Sequence, residues 1–251
     1  AYATGRVEGK AGEMRRIAIS PVTRVWCDDM TTPEPETQAG FARHFYDRIS
    51  KAYDLMADSS EHEYRQAGEA ALGIEGGAEV LELGFGTGSG ILELAEAVGG
   101  EGKVSGVDIS QGMLEVAEGK VSKQKPAAAV DLKLGDAQEL PYADGSFDIV
   151  FTSFTLELFP AEEIPQVLAE VKRVLREGGK FGVVNMASVK KGEHESVLEH
   201  SYEWMHRHFP HIVDCRPIDA PAFLRDAGFE VVVDEEKMMW TMPVGIVVGT
   251  V

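Results

Sequence analysis

Apolar residues follow two different spacings along most of this chain, and the changes between them predict strands and helices in alternation. Nearly continuous apolar runs such as "AEVLELG" and "SFDIVFTSF" predict buried strands, whereas "SGILELAEAVG" and "AEEIPQVLAEVKRVL" repeat apolar residues every three or four positions and predict helices. Buried strands separated by helices indicate a parallel sheet covered on both faces. We therefore expect an α/β fold with a doubly wound, mostly parallel seven-stranded sheet.

The two ends of the chain depart from this alternation. Residues 1–36 contain scattered Gly, Thr and Pro and predict an irregular N-terminal arm before a folded domain at 37–251. Within that domain, the segment 190–216 predicts a helical lid insertion, and "FEVVVDEEKMMWTMPVGIVVGTV" predicts a terminal antiparallel hairpin. The apolar hairpin is compatible with a homodimer edge or with cover from the same chain, and the pattern leaves both open.

The stretch "VLELGFGTGSG", residues 80–90, joins the first predicted strand to the next helix and has four glycines at alternate positions. Glycine lets a ligand approach the backbone closely and lets the chain adopt unusual φ angles, so we expect a ligand loop here. A plain glycine-rich connection is the alternative. The spacing does not fit the dinucleotide pattern of glycines at relative positions one, three and six, which disfavours an NAD-dependent oxidoreductase.

Asp108 ends the second predicted strand in "GVDIS", about 20 residues after the glycine loop. A carboxylate at this position accepts hydrogen bonds from both hydroxyls of a ribose, which suits an adenosine cofactor without a 2′-phosphate. A helix cap is the alternative for an Asp at a strand end. With the glycine loop before it, the ribose interpretation leads.

Several ordered motifs together resemble class I S-adenosylmethionine-dependent methyltransferases, and among them the ubiquinone/menaquinone-biosynthesis branch. They are "EVLELGFGTGSG", "VSGVDISQGML", "LKLGDAQELPYADGSFDIVFTSFTLELF" and "EVKRVLREGGKFGVVNM", within residues 41–187. The resemblance implies a Rossmann-like fold, S-adenosyl-L-methionine as cofactor and methyl transfer as the activity. Phe85 departs from the Cys or Ala that the family most often has, and places a bulkier neighbour beside the cofactor.

By that resemblance, the cofactor is held by residues from five parts of the chain. The methionine end would meet the glycine loop, the ribose would meet Asp108, and the adenine would meet the segments after the second and third strands. The opening "HFYDRISKAYDLM" would close over the cofactor, and the end of the fourth strand would lie beneath the methionyl portion. The implied residues are Tyr46, Tyr53, Glu82, Gly84, Phe85, Gly86, Gly88, Asp108, Ile109, Met113, Gly135, Asp136, Ala137, Thr152 and Ser153.

Composition excludes some partners. The net charge of −18, from 42 acidic and 24 basic residues, repels a phosphate backbone, and no basic patch compensates, so we expect no nucleic-acid substrate. No apolar run approaches the roughly 20 residues of a membrane span and no signal peptide is recognisable, so we expect a cytoplasmic protein without stable membrane insertion. The histidines of the lid segment lack zinc-type spacing, so we expect no metal site.

The catalytic group is the hardest part to predict, because the cofactor carries its own leaving group and the protein mainly aligns the acceptor. Glu157, an acid in an otherwise apolar segment, is a candidate base, with a helix-start acid as the alternative. His206 in the lid segment is the second candidate, with a polar lid residue as the alternative. We expect methyl transfer to a small, apolar or aromatic acceptor; a non-catalytic, cofactor-binding regulatory subunit is the other hypothesis.

Overall fold

The computed structural model describes residues 58–188, 216–239 and 242–251. In chain order its elements are α1 (Asp58–Leu72), β1 (Glu79–Leu83), α2 (Ser89–Val98), β2 (Lys103–Asp108), α3 (Gln111–Gln124), β3 (Ala129–Leu134), β4 (Phe147–Ser153), a 3₁₀ turn (Leu156–Leu158), α4 (Ile164–Val174), β5 (Leu175–Met186), α5 (Ala220–Asp226), β6 (Glu230–Met239) and β7 (Met242–Thr250). The predicted N-terminal arm, the opening "HFYDRISKAYDLM" and nearly all of the lid segment lie outside these ranges.

The seven strands form one sheet in the order β3-β2-β1-β4-β5-β7-β6. The first five strands pair in parallel, and β7 pairs antiparallel with both β5 and β6. The predicted mixed sheet and the terminal hairpin are both confirmed. The winding reverses between β1 and β4, so the carboxyl ends of these two strands form the crevice where sheets of this type bind ligands.

Two apolar cores cover the two faces of the sheet. Neighbouring residues of β1 serve opposite faces, because Val80 packs in one core and Leu81 in the other. One core takes the apolar side of α4, where Ile164, Val167, Leu168, Val171 and Val174 recur at helical spacing. The other takes α2 and the end of α1. A sheet buried on both faces leaves its strand ends for function.

In the second half of the edge strand β6, buried and exposed residues do not alternate. The strand exposes "DEEK", a run of charged residues along the outer edge of the sheet. Charged side chains on an edge discourage pairing with a further strand. Within the part of the chain that the structure describes, no helix combines the length and the apolar character needed to cross a bilayer.

Candidate functional site

Three glycines after β1 hold left-handed backbone angles, and this turns the chain sharply from the strand into α2. Gly84, Gly86 and Gly88 have φ of 68°, 53° and 84°. Side chains other than glycine rarely adopt such angles without strain. Gly86 has nothing within 4 Å of the position that a Cβ would take, so this residue borders open space.

At the other glycines of the loop, side chains from elsewhere in the protein occupy the space that a Cβ would need. A Cβ at Gly84 would overlap the side chain of Thr155, and a Cβ at Gly88 would lie 2.8 Å from the Cβ of Ala117. Gly90, inside α2, lies against the carboxylate of Glu82, which a Cβ would displace. The loop is therefore held close to the segment after β4, to α3 and to β1, with its open side at Gly86.

Asp108, at the end of β2, is tied to the glycine loop. Its Oδ2 accepts a hydrogen bond from Gly86 N–H at 2.9 Å, and its Oδ1 accepts one from Ser110 N–H at 2.8 Å. The cap of α3 is Ser110, whose hydroxyl accepts from Met113 N–H. Asp108 thus fixes the loop rather than capping the helix, and its buried carboxylate stands at the mouth of the crevice.

A cavity lies over the carboxyl ends of β1, β2 and β4, as the strand order requires. Eleven of the fifteen residues implied by the resemblance line it: Glu82, Gly84, Phe85, Gly86, Asp108, Ile109, Met113, Gly135, Asp136, Ala137 and Ser153. Two others do not line it, since Gly88 caps α2 and the Thr152 hydroxyl donates to the Leu83 carbonyl at 3.1 Å. Tyr46 and Tyr53 lie outside the described residues. The cofactor roles of all fifteen stay predictions.

The side chain of Phe85 borders the cavity but lies mostly in the apolar core. Its ring is 4% exposed and belongs to the core that includes Ile91. Gly106 on β2 makes room for it, because a Cβ there would come within 2.7 Å of the ring. The bulky departure from the family pattern is therefore absorbed largely by the core.

The residues predicted to contact the adenine also make local structural contacts. Asp136 Oδ1 accepts a hydrogen bond from Gln138 N–H at 2.9 Å, which forms an Asx turn. Met113 is 2% exposed, so its side chain is buried in the protein while it also lines the cavity. Both residues therefore combine a structural contact with a place at the cavity wall.

The sequence interpretation missed a charged group on α1 that faces the cavity. Arg65 is 6% exposed, lines the cavity, and donates from Nε and Nη2 to both carboxylate oxygens of Glu93, at 3.1 and 3.0 Å. Glu61, one turn earlier on α1, also lines the cavity. A pattern of charges on a helix normally indicates a solvent-facing side, which is why nothing in the sequence singled these residues out.

Carboxyl groups crowd around Arg65. Burial is the main cause that raises the pKa of Glu82 well above its usual range, and the charges of Glu69, Glu93 and Asp108 add to it while Arg65 opposes it. Burial also raises the pKa of Glu69 to about 8, with the charge of Glu93 adding to the shift. The Oε2 atom of Glu82 is buried and has no hydrogen-bond partner, and neither has the Oγ of Ser153, which also lines the cavity.

Glu157 lies behind the cavity and not on its wall. Its Oε1 accepts from Met186 N–H at 3.0 Å, while its Oε2 is buried without a hydrogen-bond partner. Burial raises the pKa of Glu157 to about 7, although the hydrogen bond from Met186 opposes the shift. His206, the other predicted catalytic residue, lies outside the described residues.

The far wall of the cavity comes from the segment after β4. Phe154, Thr155, Leu158, Phe159 and Pro160 line it. Phe154 has a φ of 49°, an unusual value for a bulky side chain, and its N–H donates to the Val184 carbonyl. Backbone strain of this kind clusters at ligand sites. Among the described residues, no cluster of His, Cys, Asp or Glu is arranged for a metal ion.

Comparison with known proteins gives one family and one fold. A family described as "Methyltransferase domain" matches residues 80–179. The demethylmenaquinone methyltransferases of Symbiobacterium thermophilum and Lactobacillus johnsonii are 34% and 37% identical over 153 and 143 residues, which cover 59% and 55% of this chain. The chain spans 60% and 58% of the length of these two relatives.

A solved structure supports the fold. The Burkholderia thailandensis 1,6-didemethyltoxoflavin-N1-methyltransferase, crystallised with 1,6-didemethyltoxoflavin and S-adenosylhomocysteine, aligns with a TM-score of 0.64 at 18% identity, over 89% of this chain and 92% of its own. The family match at residues 80–179 covers the glycine loop, Asp108 and β4 together. Residues 80–179 therefore match a methyltransferase domain family, and the chain shares the fold of this solved methyltransferase.

Proposed function

We propose that this protein binds S-adenosylmethionine in the cavity above the glycine loop and transfers its methyl group to a small aromatic acceptor of the quinone-precursor class. The observation that carries the proposal is the junction of Gly86 and Asp108 at the carboxyl ends of β1 and β2. The relatives named above support the acceptor class, because they are demethylmenaquinone methyltransferases.

The nucleoside would occupy the half of the cavity near β2 and β3. The Asp108 carboxylate faces the ribose hydroxyls, and its bond to Gly86 N–H keeps it in place without the ligand. Ile109, Met113 and Ala137 offer apolar contacts for a purine ring. A preformed pocket that combines apolar walls with placed polar groups is typical of a site for a small cofactor.

The amino-acid end would occupy the half of the cavity near α1 and β1. The Arg65 guanidinium offers N–H donors to a carboxylate, and the unpartnered Oε2 of Glu82 offers an acceptor to an ammonium. Donors and an acceptor on one wall match a zwitterion. That match favours an aminoacyl nucleoside over a simple nucleotide, which brings only negative charge.

When bound, the cofactor supplies an activated methyl group on a sulfonium that leaves as a neutral thioether, so the protein chiefly aligns the acceptor and excludes water. Phe154, Leu158 and Phe159 form the apolar wall that would pack against an aromatic acceptor. The strained backbone at Phe154 fixes the direction in which that wall is presented.

We keep Glu157 as the first candidate for the base that deprotonates the acceptor. A pKa near 7 suits a general base at neutral pH. Glu157 lies behind the cavity wall, which Leu158 and Thr155 help to form. It would therefore reach the acceptor only if these two side chains move, or through an intervening water molecule. His206 stays the second candidate.

The test is transfer of labelled methyl from S-adenosylmethionine to a panel of demethylated hydroquinones, phenols, amines and thiols. We expect label on a hydroquinone or phenol and equimolar S-adenosylhomocysteine, detected by mass spectrometry. Binding of S-adenosylhomocysteine without transfer to any acceptor would favour the non-catalytic regulatory subunit. Failure to bind S-adenosylhomocysteine at all would contradict the proposal.

A further inference from the structure

The buried carboxyl groups beside Arg65 are an unusual wall for a cofactor site. Glu69 and Arg65 come from α1, Glu93 from α2, Glu82 from β1, and Asp108 approaches from β2. His62 Nδ1 contacts Glu93 at 3.0 Å, and Arg65, the cation whose charge acts on Glu82 and Glu69 in the described part of the chain, is already paired with Glu93 as well. Its charge therefore cannot also balance an ionised Glu82 and an ionised Glu69.

Glu82, like Asp108 and Arg65, lines the ligand cavity. Glu82 is 3% exposed, and its Oε2 atom has no hydrogen-bond partner. The lack of a side chain at Gly90 leaves room for the Glu82 carboxylate against α2. An isolated buried carboxylate costs far more than a buried carboxylic acid, so such groups take up a proton unless a cation pairs with them. A ligand ammonium at Oε2 would be that cation.

Resting on the proposed function, we infer that Glu82 holds a proton in the free protein and gives it up when the ammonium group of the aminoacyl nucleoside binds. The O–H bond of the Glu82 carboxyl breaks, its electron pair stays on the carboxylate, and the proton leaves to the buffer. The ligand ammonium keeps all three of its hydrogens and donates to the new carboxylate. Binding is thereby linked to pH and selects ligands that carry the amino group.

The raised pKa of Glu82 fits this arrangement, because burial and the surrounding carboxylates both favour the protonated form in the absence of a ligand. Since protons leave on binding, affinity for the aminoacyl nucleoside rises with pH until Glu82 is ionised in the free protein as well. A nucleoside without the ammonium group offers no counter-charge. Its binding leaves Glu82 protonated and shows no such pH dependence.

The experiment is calorimetry on the full chain at pH 7 in two buffers with different ionisation enthalpies. S-adenosylhomocysteine is the ligand with the ammonium group, and 5′-methylthioadenosine is the matched nucleoside without the amino-acid end. We expect proton release with the first ligand and none with the second. Equal proton release for both ligands, or none for either, would overturn the inference while leaving the proposed function standing.

Variants assign the proton to one residue. Glu82→Gln is expected to abolish proton release on binding S-adenosylhomocysteine, whereas Glu96→Gln, an exposed acid on α2, leaves it unchanged. Unchanged release in Glu82→Gln would overturn the assignment. If Glu82→Gln does not fold, the two-ligand comparison on the natural chain decides alone. Absence of binding by both nucleosides would overturn the proposed function, and this inference with it.

Discussion

The Asp108 carboxylate accepts a hydrogen bond from Gly86 N–H at 2.9 Å, and this bond joins the end of β2 to the bend after β1. The two residues are 22 positions apart, and the parallel pairing of β1 with β2 brings them together. The same contact stiffens the loop and aims the carboxylate into the cavity. It is the structural reason why the loop and the acid act as one site.

Replacing Asp108 with Asn tests this joint. The amide keeps one acceptor oxygen, but its NH₂ group then faces a backbone N–H, so one of the two loop contacts is lost. We expect affinity for S-adenosylhomocysteine to fall about 10- to 100-fold, as for a lost hydrogen bond to a charged group. Titration calorimetry measures it.

Asp148→Asn is the matched control. Asp148 Oδ2 accepts from Glu79 N–H at 2.9 Å at the opposite end of β1, and the residue also pairs with Arg176. Its burial opposes ionisation, but the bonds from Glu79 and Arg176 hold the pKa of Asp148 below its usual value. The control loses stability and keeps its affinity. Equal affinity losses in both variants would refute a local role for Asp108.

Gly90→Ala probes the place of Glu82 without touching its chemistry. Gly90 lies within α2, where Ala ordinarily stabilises a helix by up to about 1 kcal/mol. Here the new Cβ would overlap the Glu82 carboxylate and push it from its position. We expect weaker binding of S-adenosylhomocysteine, by about tenfold, and unchanged binding of 5′-methylthioadenosine.

Gly119→Ala, on α3, provides the comparison for that variant. Gly119 is also helical, but a Cβ there meets nothing within 4 Å. Gly119→Ala should therefore raise the melting temperature and leave both affinities unchanged. Parallel behaviour of the two variants would show that the Glu82 carboxylate does not contact the ligand.

The glycine loop shows what the sequence could predict and what it could not. Apolar runs that alternate with segments of helical spacing predicted the sheet, and the four glycines after the first strand predicted the bend. The pattern could not separate Gly86, which borders open space, from Gly84 and Gly90, which accommodate Thr155 and Glu82. That distinction depends on contacts between residues far apart in the chain, and such contacts leave no periodic signal.

Arg65 shows the same limit for charge. Within "EHEYRQAGEAAL" it is one of several charged residues at helical spacing, and such a pattern ordinarily marks a solvent-facing side. The fold turns that side toward Glu82 and Glu93, and there Arg65 is buried. Burial of a charge follows from where α1 packs, so only the structure reveals it.

Glu69 makes stability depend on pH in the direction opposite to a paired acid. Its pKa in the fold, about 8, lies above that of an exposed Glu, so the group stabilises the fold while protonated, and the contribution is lost as pH rises toward 8. Glu69→Gln is uncharged at every pH. We expect urea unfolding to show a gain of roughly 3 to 5 kcal/mol at pH 8.5 and little change at pH 5.

The exposed Glu63 of α1 gives the control, since Glu63→Gln should leave the pH dependence as it is. A gain in Glu69→Gln that is the same at both pH values would indicate a packing effect and not titration.

Glu157→Gln separates a structural carboxyl from a catalytic one. The Gln side-chain oxygen can still accept from Met186 N–H, so the fold is retained. Because Glu157 lies outside the cavity wall, affinity for S-adenosylhomocysteine should change less than twofold, while kcat for methyl transfer falls at least tenfold and loses its pH dependence near pH 7. An unchanged kcat and pH profile would leave Glu157 a purely structural residue.

The most direct test of the cofactor site compares two glycines with similar backbone angles. Gly86 and Gly145 have φ of 53° and 61°, and neither has an atom within 4 Å of its Cβ position, but only Gly86 lines the cavity. Calorimetry with S-adenosylhomocysteine on Gly86→Val and Gly145→Val should show binding lost in the first and retained in the second, with similar losses of stability. Full affinity in a folded Gly86→Val variant would contradict the account.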